Sequence, residues 1–325
     1  MPALFTHHHF GLAVLVRRGA ASFATRVERD AFLLGNQGPD PFFYALRTPA
    51  LIASKRFGSR LHRDKPDAVF DTMSAVLAEL DATSADSGLP ARAQSAATSL
   101  RHVLEAYACG YLCHFTLDST AHPLVYYYQD ALCNAGVPGL GIDDEMFVHA
   151  QIEADLDAML LWRLTGKTVA DFKITRYLLQ GGDVVLKQID SLFARVARDV
   201  YGEVLPSGAY CRAVKDMRAT VNIMQSATGR KRAVLGVIER LVPGRRHSLL
   251  QAMSHRTDVK DDCPFWNEGR EPWTRPATGE EITASFLDLF ESAANSANHK
   301  IDEFMDGASG ARLTGGLDFQ GMPIL

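Results

Sequence analysis

The sequence predicts an all-α protein, and three observations carry that expectation. Apolar residues recur at helical spacing in one segment after another, strand-like alternation is almost absent, and the Gly- and Pro-rich breakers fall between the periodic segments. The chain has 325 residues, 47% of them hydrophobic, enough to bury the core of one large domain or two smaller ones.

The elements follow in order. Phe10 to Val16 is a continuous apolar run. Gly35-Asn36-Gln37-Gly38-Pro39-Asp40-Pro41 is a forced loop. Val69, Phe70, Met73, Val76, Leu77 and Leu80 form one apolar stripe on a helix over Ala68 to Leu80. Ala82 to Pro90 is small and polar and reads as a surface connection. Ala91 to Leu117 is long, Ala-rich and free of Gly and Pro apart from Gly110. After a second breaker at Asn134 to Gly141, the acidic Asp143-Asp144-Glu145 suits the start of a helix over Met146 to Leu164. Helical patterns continue at Ser191 to Val200, Tyr210 to Gln225, Lys231 to Leu241 and Thr283 to Met305. The segment closest to a strand, Asp183 to Leu186, is too short to build a sheet. Cys263 to Gly279, rich in Pro, Gly and Trp, is expected to be irregular, and the last dozen residues to be a loose tail. No internal repeat is visible. A boundary is expected near Leu164 to Thr168, dividing residues 1–165 from a helical C-terminal extension, residues 166–325, packed on them.

Composition excludes some roles. A net charge of −4 argues against a dedicated nucleic-acid binder, whose footprint is basic, and no stable nucleic-acid binding is expected. A nuclease stays open, because bound divalent cations change the sign of the local field. Five widely spaced cysteines make a poor disulfide framework; Cys109 and Cys113, four apart in an apolar run, read as small buried thiols. The first eighteen residues lack the order basic region, apolar core, small-residue cleavage site, so no signal peptide is read. No run of about 18 apolar residues spans a membrane. The expected location is the cytoplasm.

The residues that carry chemistry sit on two of these helices. His114, Asp118 and His122 are four apart, and each step of four turns only about 40° around a helix axis, so the three share one face. His149 and Glu153 repeat the step on the next helix. Eleven His and 38 acidic residues in 325 give roughly one His-x-x-x-acid pair by chance, and the sequence has three. The third, His299 and Glu303, lies in the polar stretch Asn295 to Glu303 and reads as a solvated face. The first two are set in apolar segments, where an unpaired Asp118 carboxylate is costly to bury without a cation. Zinc prefers imidazole nitrogen and carboxylate oxygen, and helices presenting such pairs inward build metal sites in bundle cores.

Here the sequence resembles the zinc-dependent phospholipases C, in particular their bacterial relatives without a secretion signal. The resemblance is carried by Thr6-His7 with Phe10-Gly11, by Gly35 to Tyr44, by His62, by Gly110-Tyr111-Leu112-Cys113-His114 with Asp118 and His122-Pro123, and by His149-x-x-x-Glu153. It covers roughly residues 1 to 160, with five separated elements in the family's order; Trp273-x-x-Pro276 and Gly279-Glu280 resemble only the helical extension of those relatives. It implies a multi-helix bundle of the zinc phospholipase C and zinc nuclease type. It also implies a zinc cluster. Asp40, His62, His114 and Asp118 would hold one ion, His122, His149 and Glu153 a second, and His7 with Asp118 a third. The secreted enzymes complete the third site with the amino group of a terminal tryptophan, whereas this chain starts Met1-Pro2, so two or three ions are expected. The spacing to His122 is also two residues shorter than in those enzymes.

Each ligand has an ordinary alternative. His7, His8 and His9 form a run, which near a terminus is usually solvated, and only the Thr-His-x-x-Phe-Gly context selects His7. Asp40 between two prolines can cap a turn. His62 lies in a polar stretch, Phe42, Phe43 and Tyr44 are more often core than pocket, and His102, His247 and His255 read as structural or surface residues.

The expected function is a metal-dependent phosphoric ester hydrolase, a phospholipase C-like phosphodiesterase acting on a phosphate ester such as a phospholipid head group. Zinc lowers the pKa of a bound water toward about 7, and paired ions clamp the attacking and leaving oxygens of a phosphodiester. Asp40 is the candidate catalytic residue, taking the proton from that water. The alternatives are a zinc-dependent nuclease-like hydrolase, which would need a basic groove or stacking aromatics, and a non-catalytic metal-binding scaffold.

Overall fold

The computed structural model of the protein describes residues 3–19, 22–45, 51–136, 139–240, 247–257, 259 and 263–324. These are mostly helical, as the periodicity predicts. The helices are α1 (Leu4–Arg18), α2 (Arg26–Gly35), α3 (Leu51–Arg63), α4 (Pro66–Ala85), α5 (Ala91–Asn134), α6 (Glu145–Thr165), α7 (Ile174–Tyr177), α8 (Asp183–Tyr201), α9 (Ala209–Met224), α10 (Arg230–Arg240), α11 (Leu249–Ala252), α12 (Phe286–Met305) and α13 (Gly310–Thr314). The one sheet among the described residues is a two-residue pair, β1 (Trp273–Thr274), within the segment read as irregular, antiparallel to β2 (Glu281–Ile282) just beyond it. The strand-like Asp183 to Leu186 instead opens α8, where Val185, Leu186, Ile189, Leu192 and Phe193 form the buried stripe of an amphipathic helix. Leu241, at the end of the expected helix over 231–241, lies outside the described residues. No helix among them is long and apolar enough to cross a membrane.

The chain folds into two compact units, each assembled from separate stretches. The first comprises Met1–His9, Thr120–Leu178 and Arg218–Ser292; the second comprises Phe10–Ser119, Leu179–Met217 and Ala293–Leu325. The boundary expected at residues 164–168 falls inside the first unit.

The second unit has an aromatic core. Phe42 meets Phe57 and Phe193 edge-on, both at 5.0 Å between centroids, and Phe193 stacks on Tyr210 at 5.0 Å. Such inclined pairs match the positive edge of one ring to the negative face of the next. Phe42 and Tyr44 are thus core residues, as their type suggests. α4 packs on α8 and α13. α2 and α5 cross at glycines: a Cβ on Gly110 would lie 2.0 Å from the Phe32 carbonyl oxygen, and one on Gly35 2.2 Å from that of Tyr107. The single glycine of the Ala-rich stretch is therefore the point where two backbones touch.

In the first unit, α6 buries Ile152, Leu156, Met159 and Leu160 and packs on α11. Its start is acidic as expected. The Asp144 carboxylate accepts a hydrogen bond from the Gly141 N–H at 3.0 Å, and Gly166, in the left-handed conformation, ends the helix.

Candidate metal centre

The second unit brings together four of the residues expected to bind metal. The loop after α2 folds back through tight turns, with the Gly38 N–H donating to the Gly35 carbonyl at 2.7 Å and the Asp40 N–H to that of Gln37 at 3.1 Å. Gly38 has φ +50°, and a Cβ there would stand 2.3 Å from the His114 ring, so only glycine lets the loop lie against that imidazole. This brings Asp40, at the head of a 3-10 turn over Asp40–Tyr44, to His62 on the last turn of α3 and His114 on α5. His62 Nε2 lies 3.1 Å from Asp40 Oδ1. His114 Nε2 lies 3.8 Å from the same oxygen and 3.1 Å from Asp118 Oδ2. All four side chains are buried, His114 completely.

The other ring nitrogens are already engaged. His62 Nδ1 donates to the Gly58 carbonyl at 2.8 Å, and His114 Nδ1 to the Asn36 carbonyl at 3.1 Å. A carbonyl only accepts, so each Nδ1 carries a proton and each Nε2 is directed at carboxylate oxygen. In a neutral imidazole that Nε2 is a lone pair, and lone pairs facing one another 3 Å apart need a cation or a second proton between them. The donor set therefore fits a divalent metal held by nitrogen and oxygen, with each imidazole oriented from behind, the usual arrangement of zinc-binding histidines. The charge balance agrees. Burial pushes the Asp40 carboxyl up, but the His114 and His62 imidazoles facing it outweigh that and hold it below the usual carboxylate value.

The first unit holds a second group. His122 Nε2 lies 3.2 Å and His149 Nε2 3.4 Å from Glu153 Oε1, and the two rings are 5.6 Å apart. His149 Nδ1 donates to Gln129 Oε1 at 2.9 Å, so its Nε2 too is directed at the carboxylate. The ligand atoms of Asp40, His62 and His114, and likewise those of His122, His149 and Glu153, all lie within 4.8 Å of one another, as a shared ion requires. The second group is the more open: the His122 and His149 side chains are 12% and 19% exposed. The half-buried Tyr126 ring stands beside both, 6.0 Å from His122 and 5.0 Å from His149.

The remaining histidines sort by burial. His7 is buried on α1 in the first unit, and its pairing with Asp118 stays with the resemblance. The solvated reading of the run fails for its neighbours as well. Burial and the adjacent His9 push the His8 imidazole down to about 4, and His9 stacks between Phe5 and Phe290. His299 is 71% exposed, the solvated face expected of it. His255 is structural rather than superficial: its Nε2 lies 2.5 Å from the fully buried Asp157 carboxylate, which also accepts the Phe5 and Thr6 N–H groups at 3.2 and 2.6 Å.

Several residues at these sites carry no signature in the sequence. The Asn36 and Gly58 carbonyls are backbone atoms, and Gln129 and Tyr126 belong to no motif. Phe319 corrects the reading of the tail. It is fully buried, its N–H donates to the His62 carbonyl at 3.3 Å, and its ring lies 5.1 Å from His62 and 5.6 Å from His114. The chain matches no protein-family model, no curated protein and no solved structure.

Proposed function

We propose that the protein is a zinc-dependent phosphoric ester hydrolase, a phospholipase C-like phosphodiesterase. The observation that supports this most is the pair of His and carboxylate groups in which Nε2 is directed at carboxylate oxygen while Nδ1 of His62, His114 and His149 is held from behind. Asp40, His62, His114 and Asp118 would hold one ion and His122, His149 and Glu153 another; a third, at His7 and Asp118, is proposed from the resemblance alone. Zinc bound there would supply Lewis acidity toward phosphoryl oxygens and bring the pKa of water near about 7. The chain's own residues would do the rest. Asp40, with one oxygen 3.1 Å from His62 Nε2, would take up the proton of the attacking water.

The test is a screen of chromogenic phosphate diesters and monoesters, paired with metal analysis of the same sample. Diester hydrolysis that is lost with chelator and restored by zinc is expected. Full metal content with no turnover on any ester would make the protein a non-catalytic metal binder, and preferential cleavage of nucleic acid would make it the nuclease-like hydrolase.

A further inference from the structure

The segment that follows α13 is a small closed loop on a fixed base. Its neck is joined by a hydrogen bond from the Ile324 N–H to the Gly316 carbonyl at 2.8 Å and by a bridge between Leu317 and Pro323. Its tip is clasped by Asp318, whose Oδ1 accepts the N–H groups of Gln320 and Met322 at 2.8 and 2.9 Å, an aspartate holding its own turn. The Asp318 N–H donates in return to the Met322 carbonyl at 2.8 Å. At the base, α13 packs on α4, with the Gly310 N–H donating to Asp71 Oδ1 at 2.6 Å. Lys300 Nζ of α12 donates to the Leu313 carbonyl at 2.5 Å.

What this loop carries is Phe319, completely buried against the first metal group. Its N–H satisfies the His62 carbonyl at 3.3 Å, one of the acceptors left without an intrahelical donor in the last turn of α3. Its ring reaches both imidazoles at once, 5.1 Å from His62 with planes at 56° and 5.6 Å from His114 at 50°. Phe115 and Tyr111 meet the same ring edge-on at 5.0 and 5.7 Å. His62 also has Phe43 5.1 Å away, so two aromatic rings pack on that imidazole.

A hydrogen bond at Nδ1 fixes one atom of an imidazole, and the ring can still tilt about it. Packing against a buried aromatic removes that freedom and fills the space through which water would reach Nε2. The apolar shell around a metal group governs solvent access to it, and an ion leaves only as its ligands swing away and water takes their place. We propose that Phe319 is a positioning residue for the first metal group: through His62 and His114 it holds the ligand nitrogens in place and keeps water from them, and so sets how slowly the ion leaves. The proposal rests on the reading of Asp40, His62 and His114 as metal ligands.

The experiment mixes the zinc-loaded full chain with an excess of a chromogenic zinc chelator and follows zinc release in time. The phase belonging to this group is the one that His62→Ala removes. Phe319→Ala is expected to speed that phase about tenfold or more and to leave the remaining zinc within about twofold. Phe319→Leu keeps most of the apolar volume but no flat face for two imidazoles, so it should speed the phase about three- to fivefold. Circular dichroism melting identifies any variant that fails to fold, and the leucine variant keeps the test decisive if the alanine variant is one. An unchanged phase in a folded variant, or equal speeding of every phase, would overturn the proposal and leave the metal reading standing. If His62→Ala removes no zinc, the metal reading of this group fails and the proposal fails with it.

Discussion

His62, His114 and His149 are each fixed at Nδ1 by an acceptor, and that decides what Nε2 can do. With the rear proton committed, a metal at Nε2 meets a neutral, oriented ligand, and little is lost in ordering the site when the ion arrives. Asp40 is the residue at which ligand and base roles separate. Asp40→Asn keeps an oxygen beside His62 but removes a proton acceptor and a charge, so diester hydrolysis should fall by a factor of about 100 to 10,000. Metal content should fall by no more than one ion in the same sample, and the control Glu153→Gln, confined to the second group, should also lose one. Unchanged turnover would remove Asp40 from the mechanism. At this scale the acids and imidazoles were legible, because a His-to-carboxylate step of four in an apolar segment is hard to explain otherwise. His62 was not legible from residues alone, since its polar neighbours look like any exposed helix end and only the returning Asp40 loop makes it a partner. The orienting groups were invisible: two are backbone carbonyls, which no side chain encodes.

Elements position the site through close approach rather than through bulk. Gly35 of α2 and Gly110 of α5 let two backbones touch, and the same α2 leads directly into the loop whose Gly38 lies against His114. A methyl group at the crossing has no flexible neighbour to displace, only the carbonyls of Phe32 and Tyr107. Gly110→Ala should therefore destabilise the fold by about 2–4 kcal/mol in denaturant unfolding, although alanine is the better helix former in isolation. A loss below about 0.5 kcal/mol would contradict the crossing. Helix periodicity was readable here because long amphipathic stretches repeat the apolar stripe many times. Asp183 to Leu186, too short to build a sheet, cannot by itself distinguish a period of 2 from one of 3.6; the buried stripe becomes clear only when Ile189, Leu192 and Phe193 are added.

The whole molecule consists of two units built from interleaved stretches of chain, with one complete His and carboxylate group in each. Sequence order hides that division, because contiguous domains are what composition shifts and linkers reveal, and here the crossings occur inside helices such as α5. It also hides the part played by the last residues, since Phe319 is a single aromatic in a Gly-rich segment and becomes a wall of the His62 and His114 group only through the fold. The proposed chemistry stands or falls on whether these groups hold metal. Elemental analysis of protein purified without chelator tests that most directly. Two or three zinc ions per chain are expected, and less than one divalent transition metal ion per chain would contradict the account.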